Sequence, residues 1–378
     1  MKIGIITEFS KSTTNYGNIL QTYALNHYLR SAYPTFTVQT VLFNPCKPFG
    51  WISISLIKRF ISSILKTFRR LIKQKKISEV HSIFFKDFAK DNISFSTQVS
   101  SEKELTQIKY DILIVGSDVV WSQVDGYINT VKFLTFKGSR DSIKISYAAS
   151  FGRNHIPDCN KKIISKSLSK FKGISVREKS SIALLKEIGI QNAVHVADPT
   201  LLLTIDAWNT IEQNPYINGI QSGQYILLYR ISPADWHKTA VKKIQDQFNK
   251  KILDLQETKS VDSENEEVIT PQKWLWLIHN SGAVITDSFH CMIFSSIFHK
   301  PFFVIEREYK SDINNRMIDF LEFVKHQHLF ISRDLVEPNP SQYKWDYKTI
   351  EKQTNELVIK SKLFLNQMIP DELKTQIK

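Results

Sequence analysis

Short apolar runs, each ending in a small or polar corner, recur along this chain of 378 residues. Lys2 to Phe9 reads as a strand that runs into a polar turn, Ser10 to Asn18. Ile19 to Leu29 then carries apolar residues at helical spacing. Strand, Gly-containing loop and helix make the first half of a βαβ unit, and Thr37 to Phe43 supplies the next strand. The alternation resumes further on. Asp111 to Val115, Lys144 to Ala149, Gly173 to Val176 and Val194 to Val196 read as strands, with helices over 161–171 and 180–188 among them. Their ends are Gly116-Ser117-Asp118, Ser150-Phe151-Gly152, Arg177-Glu178 and Ala197-Asp198-Pro199-Thr200. One such corner is routine, and several together suggest a cleft lined by strand ends.

Glu212 to Gln224, with Pro215, Gly219 and Gly223, reads as a linker. A second α/β run follows it. Tyr225 to Tyr229 is a strand ending at Arg230, a helix spans about Ala234 to Asn249, and Lys251 to Leu255 is the next strand. Thr258 to Thr270 is polar and acidic, hence a loop, and Pro271 opens a helix containing Trp274 at the favoured first position. Ala283 to Thr286 is a buried strand, Phe289 to His299 a helix and Phe302 to Ile305 another strand. A helix follows Asn315, and Ile350 to Met368 is helical in pattern. The expected divisions are 1–211, 225–335 and a helical tail over 345–378.

Composition narrows the class. The length favours two domains, and 42% hydrophobic with 12% aromatic residues is ample for packed cores. Three cysteines, Cys46, Cys159 and Cys291, lie far apart with no CxxC or Cys/His cluster, so neither a zinc site nor a disulfide framework is indicated. A reducing cytoplasm fits, the first residues read as a strand rather than a signal peptide, and no apolar run is long enough to span a membrane. Net charge is +13, and Lys58, Arg59, Lys66, Arg69, Arg70, Lys73, Lys75 and Lys76 supply eight of it between Trp51 and Ile77 without one acidic residue. Leu56 to Ile72 shows a wide apolar helical stripe opposite that basic face. Three readings stand for it: a docked helix with a solvated face, contact with anionic lipid or a lipid-linked phosphorylated substrate, and nucleic acid. The last is weakest, because no stacking aromatics or nucleic-acid motif accompany the charges.

The chemistry concentrates at Thr286-Asp287-Ser288-Phe289-His290-Cys291, a polar corner between strand and helix. Ligands bind outside the carboxyl ends of strands in open α/β sheets, and a helix start favours an anion. A histidine there suits a phosphate partner or proton donor. The structural alternative is that Asp287 or Ser288 only caps the helix and His290 is only a satisfied core histidine. Neither GxGxxG nor GxxxxGK[ST] occurs, which excludes those two nucleotide fingerprints.

An ordered set of motifs then points to a family. Asn15-Tyr16-Gly17 with Leu20-Gln21-Thr22-Tyr23-Ala24-Leu25, Gly116-Ser117-Asp118-Val119-Val120-Trp121, Tyr147 to Gly152, Ser175-Val176-Arg177-Glu178, Asp198-Pro199-Thr200-Leu201, Thr286 to His290 and Asn315-Arg316 appear in that order. Together they resemble the polysaccharide pyruvyl transferase family over roughly residues 1–330. Cys291 departs from the pattern, since family members commonly carry Gly there. The resemblance implies two Rossmann-like domains facing a central cleft, like the GT-B glycosyltransferases. It implies transfer of the pyruvyl group of phosphoenolpyruvate to two sugar hydroxyls, giving a cyclic ketal, with no metal or organic cofactor. The second half would hold phosphoenolpyruvate and the first the saccharide acceptor.

Phosphoenolpyruvate needs cations and N–H donors, and Arg binds both its anionic groups through a planar fork. Arg230, the Ser288-Phe289-His290 helix start, Arg307 and Arg316 offer these, and the resemblance adds Lys310. His290 is the best-placed acid, either protonating the methylene carbon or assisting the departing phosphate; both roles stay open. Asp118 and Glu178 are candidates to accept the acceptor's proton, and each could equally cap a helix. Arg177 either faces the cleft or pairs locally. Asn15, Gly17 and Ser117 are candidate contacts in the first half, while Asp198-Pro199 reads as a structural turn. Acceptors built on polyprenyl diphosphate lie at the inner membrane face, where each basic residue of 51–77 would add about 1 kcal/mol of attraction. Two other functions compete: a sugar-nucleotide glycosyltransferase, with Glu306 gripping ribose, and a non-catalytic glycan-binding protein.

Overall fold

A computed structural model describes residues 1–9, 14–44, 82–122, 126, 128–255, 268–308, 311–334 and 343–370. The basic stretch 51–77 and Lys310 lie outside the described residues. The strands are β1 (Lys2–Ile6), β2 (Thr37–Thr40), β3 (Ile112–Val115), β4 (Ile143–Ser146), β5 (Ser175–Val176), β6 (Val194–His195), β7 (Tyr225–Tyr229), β8 (Lys251–Asp254), β9 (Ala283–Thr286), β10 (Phe302–Ile305) and β11 (Phe330–Ile331). Their pairings are parallel. The sequence explains this. Ile-Leu-Ile-Val of β3, Tyr-Ile-Leu-Leu-Tyr of β7 and Phe-Phe-Val-Ile of β10 are buried at every position. Such two-faced burial is what parallel strands covered by helices require.

The first sheet runs β2-β1-β3-β4 and the second β11-β10-β9-β7-β8. The short β5-β6 pair extends the first through bridges Ile145–Gly173 and Ala149–Val176. In each sheet the chain turns to the opposite side after its first crossover, which opens a crevice at the carboxyl ends of β1 and β3 and of β7 and β9. Thr7 and Gly116-Ser117-Asp118 stand at the first crevice. Arg230 and Asp287 stand at the second.

Helix boundaries differ from expectation in one instructive place. The first helix begins at Tyr16, not Ile19, because the Asn15 side chain caps it by accepting from the Asn18 amide at 3.1 Å. Tyr16 and Gly17 are therefore helical, and Tyr16 is turned inward. Its ring lies flat on Trp274 of the second half (5.1 Å, 3°), and its hydroxyl donates to the Ile269 carbonyl at 2.9 Å. Trp208 meets Phe294 edge-on at 4.8 Å. The two halves thus share one aromatic core.

The C-terminal helix Tyr347–Met368 is not an independent tail. Ile350 packs in the shared core, while Phe364 and Leu365 pack with Ile3, Val38 and Ile145 of the first half. The Ser361 hydroxyl accepts from the Ala197 amide at 2.8 Å. Among the described residues, no helix is long and apolar enough to cross a membrane. Because Trp274 is fully buried against both halves, Trp274→Ala is expected to cost about 3–5 kcal/mol in denaturant unfolding. Probes in either half should report the same shifted midpoint.

Candidate active site

Three strand ends of the first half and two helices of the second meet in one buried ionic cluster. Arg177, just after β5, is its hub. Its side chain is 2% exposed, and Nε donates to Glu178 Oε1 at 2.8 Å. Nη1 donates to Asp198 Oδ2 at 3.1 Å. Asp118, beyond β3, lies 3.7 Å from the same Nη1 and 3.6 Å from Arg316 Nη1. The last two separations allow attraction but exceed good hydrogen-bond length. The guanidinium of Arg177 also covers the Phe289 ring at 4.3 Å, and Arg316 approaches the same ring at 5.8 Å. Phe289 therefore joins the halves through cation–π contact.

His290 enters from the second half on the first turn of the helix Phe289–Ile297. Its Nε2 faces Asp198 Oδ2 at 3.5 Å. Its other side rests on Gly17, where a Cβ would stand 2.3 Å from Nδ1. A side chain at position 17 would collide with the ring, so this contact needs glycine. Ser288 caps the helix by accepting from the Cys291 amide, and its own amide donates to Thr286 Oγ1 at 3.0 Å. The amides of Phe289 and His290 precede the first intrahelical bonds.

Charge balance sets the protonation states. Burial pushes the Asp118 carboxyl up, but Arg177, His290, Arg316 and the Asn18 amide outweigh it and hold it below the usual range. Asp198 is likewise depressed: burial opposes, while His290, Arg177 and the Thr200 amide prevail. The guanidinium of Arg177 is raised, because Glu178, Asp198 and Asp118 overcome the burial that disfavours its charge. Arg316 is lowered to about 10, first by burial and then by Arg177, so it remains cationic near neutral pH. Four buried polar atoms of this cluster have no hydrogen-bond partner among the described residues: Ser117 Oγ, Arg177 Nη2, Glu178 Oε2 and His290 Nε2.

The expected site residues within the described part sort into four groups. Asp118, Ser117, Arg177, Glu178, Phe289, His290, Arg316 and Gly17 come together. Arg307 is adjacent: its Nε donates to the Asp287 carbonyl at 2.8 Å, and burial lowers its pKa. Ser288 and Asn15 serve as helix caps. Arg230 is paired with Asp254 of the neighbouring strand end. Asp198 was expected only to form a turn. It does cap the following turn through the Thr200 amide at 3.0 Å, yet its other oxygen belongs to the cluster. Its place at a strand end before proline was the available signal. Asn18, which approaches Asp118 Oδ2 at 3.4 Å, was missed because it reads as part of a loop.

Asp287 does not cap the helix, since Ser288 does. Its carboxylate accepts from the Ile231 amide at 2.6 Å and the Ser232 amide at 2.8 Å. The crevice of the second sheet is thus already bridged by an internal anion. Gly17→Ala is expected to displace the imidazole and lower turnover at least about 100-fold. Alanine favours the helix itself while the clash with the ring opposes it, so a loss of turnover far larger than any shift of the thermal midpoint would locate the effect at His290.

The whole fold resembles that of several solved structures. UDP-N-acetylglucosamine 2-epimerase from Rickettsia bellii matches with a TM-score of 0.52 at 13% identity, covering 100% of this chain and 99% of that one. UDP-GlcNAc 2-epimerase from Methanocaldococcus jannaschii gives 0.53 at 14%, covering 96% and 100%. The S. aureus MnaA–UDP complex gives 0.51 at 13%, covering 97% and 95%. At such identities the likeness concerns fold alone, and the fold is GT-B-like. No curated protein sequence matches the chain. The family model for polysaccharide pyruvyl transferase matches residues 15–309. That span runs from the cap of the first helix through Asp118, Arg177, Asp198 and His290, and the chain belongs to the polysaccharide pyruvyl transferase family.

Proposed function

We propose that this protein transfers the pyruvyl group of phosphoenolpyruvate onto two hydroxyls of a sugar in a bacterial surface polysaccharide or its precursor, forming a cyclic ketal and phosphate. The four partnerless atoms of the buried cluster carry this reading. Native proteins rarely leave such groups unmatched, and each costs about 1–3 kcal/mol when buried. Arg177 Nη2 suits an anionic ligand and Glu178 Oε2 a hydroxyl proton, while His290 Nε2 faces Asp198 at 3.5 Å, beyond good hydrogen-bond length, and is open to a closer acceptor.

In this account Arg177 and Arg316, with the amides at the Phe289–Ile297 helix start, hold the phosphate and carboxylate. His290 is the acid, with the ionised Asp198 beside it to stabilise an imidazolium. Glu178 is the base. Its Oε1 is fixed by Arg177, whereas Oε2 is available. Asp118 is the weaker choice, since its neighbours hold it ionised at low pH. A proton adds to the methylene carbon of phosphoenolpyruvate, making it a methyl group. One sugar hydroxyl bonds to the adjacent carbon and loses its proton. The carbon–oxygen bond to phosphate breaks, the second hydroxyl bonds there, and its proton leaves with phosphate. No metal or organic cofactor takes part. An acceptor carried on lipid diphosphate agrees with the eight basic residues of 51–77, which would hold the enzyme at an anionic membrane face.

A sugar-nucleotide transferase fits less well. It would use the second-sheet crevice, where Asp287 already occupies the Ile231 and Ser232 amides. Glu306, the candidate ribose ligand, accepts from the Arg333 amide at 2.9 Å. With phosphoenolpyruvate and methyl glycosides bearing free hydroxyl pairs, the wild type is expected to release phosphate and form ketal in equal amounts, the latter read from its methyl proton signal. His290→Ala should slow both by about 100-fold or more. An unchanged ketal rate would remove His290 from the chemistry.

A further inference from the structure

The helix Asn315–Phe323 lies in the crevice between the halves and presents one face to the first half at helical spacing. Arg316 reaches Asp118. One turn on, Asp319 Oδ2 accepts from the Ser180 amide at 3.0 Å and from its hydroxyl at 2.9 Å. A further turn on, Phe323 meets the His195 ring edge-on at 5.3 Å. His195 Nε2 in turn lies 3.1 Å from the Arg177 carbonyl.

Ser180 opens the helix Ser180–Glu187, which directly follows Arg177 and Glu178. This helix has no side-chain cap of its own: Lys179 stands at the cap position and makes no capping bond. An uncapped helix start leaves amide donors open, and the side-chain cap here arrives from the other half. We propose that Asp319 is a positioning residue. By capping that helix across the crevice it sets Arg177 and Glu178 against Arg316 and His290, and so fixes the spacing of the assembled site. The inference rests on the pyruvyl-transfer reading for its kinetic consequence, and on the geometry alone for its structural one.

The hydrogen bonds of the Asp319 carboxylate go to Ser180, although it lines the same small cavity as Arg177, Glu178 and Arg316, so its effect on Arg177 and Glu178 passes through the helix that Ser180 opens. That makes it separable from a residue that only stabilises the fold. Three variants, Asp319→Ala, Asp319→Asn and Asp319→Ala with Arg316→Ala, are compared with wild type and with Arg316→Ala. Two readouts are used.

Hydrogen exchange of the ligand-free proteins should show faster exchange at the first-turn amides of Ser180–Glu187 in Asp319→Ala, restored in Asp319→Asn, which keeps an accepting oxygen. Phosphoenolpyruvate-dependent ketal formation should fall about tenfold or more in kcat/KM for Asp319→Ala, with recovery in Asp319→Asn. In the Arg316→Ala background the same change should cost far less, because residues acting through one another are not additive. Unchanged exchange, full additivity with Arg316→Ala, or a lowered thermal midpoint with intact kcat/KM would each overturn the proposal. If the wild type forms no ketal, the pyruvyl-transfer reading fails while the exchange comparison still decides the contact.

Discussion

Burying Arg177 is the constraint on which the rest of the site depends. A guanidinium removed from water is costly unless carboxylates and aromatic faces replace its hydration. Here Glu178, Asp198 and Asp118 supply the charge, and Phe289 supplies the face. Those partners come from three strand ends and from the opposite half. The hub therefore requires both halves to be docked, and the shared aromatic core around Tyr16, Trp208 and Trp274 provides that docking. Residues kept partly unmatched at the centre of such a network are expensive to maintain. A ligand that fills them is the economical explanation.

On the proposed function, the same constraint bears on where an incoming anion would be received. A cluster of free cations at the second-half corner was the expectation. Instead Arg230 is matched by Asp254, and Arg307 contacts the carbonyl and, at 3.8 Å, the carboxylate of Asp287. The available donors sit further in, on Arg177, His290 and the start of the Phe289–Ile297 helix. Arg316 is only loosely held, its Nη1 lying 3.6 Å from Asp118. In the proposed function, phosphoenolpyruvate would bind between the halves, with the first half supplying its chief guanidinium.

Much of this was legible in the sequence because it rests on local pattern. Buried strands such as Ile112–Val115, Tyr225–Tyr229, Ala283–Thr286 and Phe302–Ile305 announce themselves by continuous apolar residues. The corners that follow them were readable for the same reason. What stayed hidden depends on contacts far apart in the chain. Asp198 looks like a turn until Arg177 and His290 arrive beside it. Gly17 looks like punctuation until the imidazole rests on it. The pairing of Arg230 is hidden because nothing local reveals Asp254. The C-terminal helix reads as a tail because its docking surface on Ile3, Val38 and Ile145 is more than 200 residues earlier.

The central claim is that the buried cluster is a phosphoenolpyruvate site completed by its ligand. Calorimetric titration of the intact protein with phosphoenolpyruvate, beside UDP-N-acetylglucosamine, tests it most directly. The account predicts one phosphoenolpyruvate bound per chain, with binding lost in Arg177→Gln and no heat from the nucleotide sugar. Binding of the nucleotide sugar alone, or phosphoenolpyruvate affinity unchanged in Arg177→Gln, would contradict it.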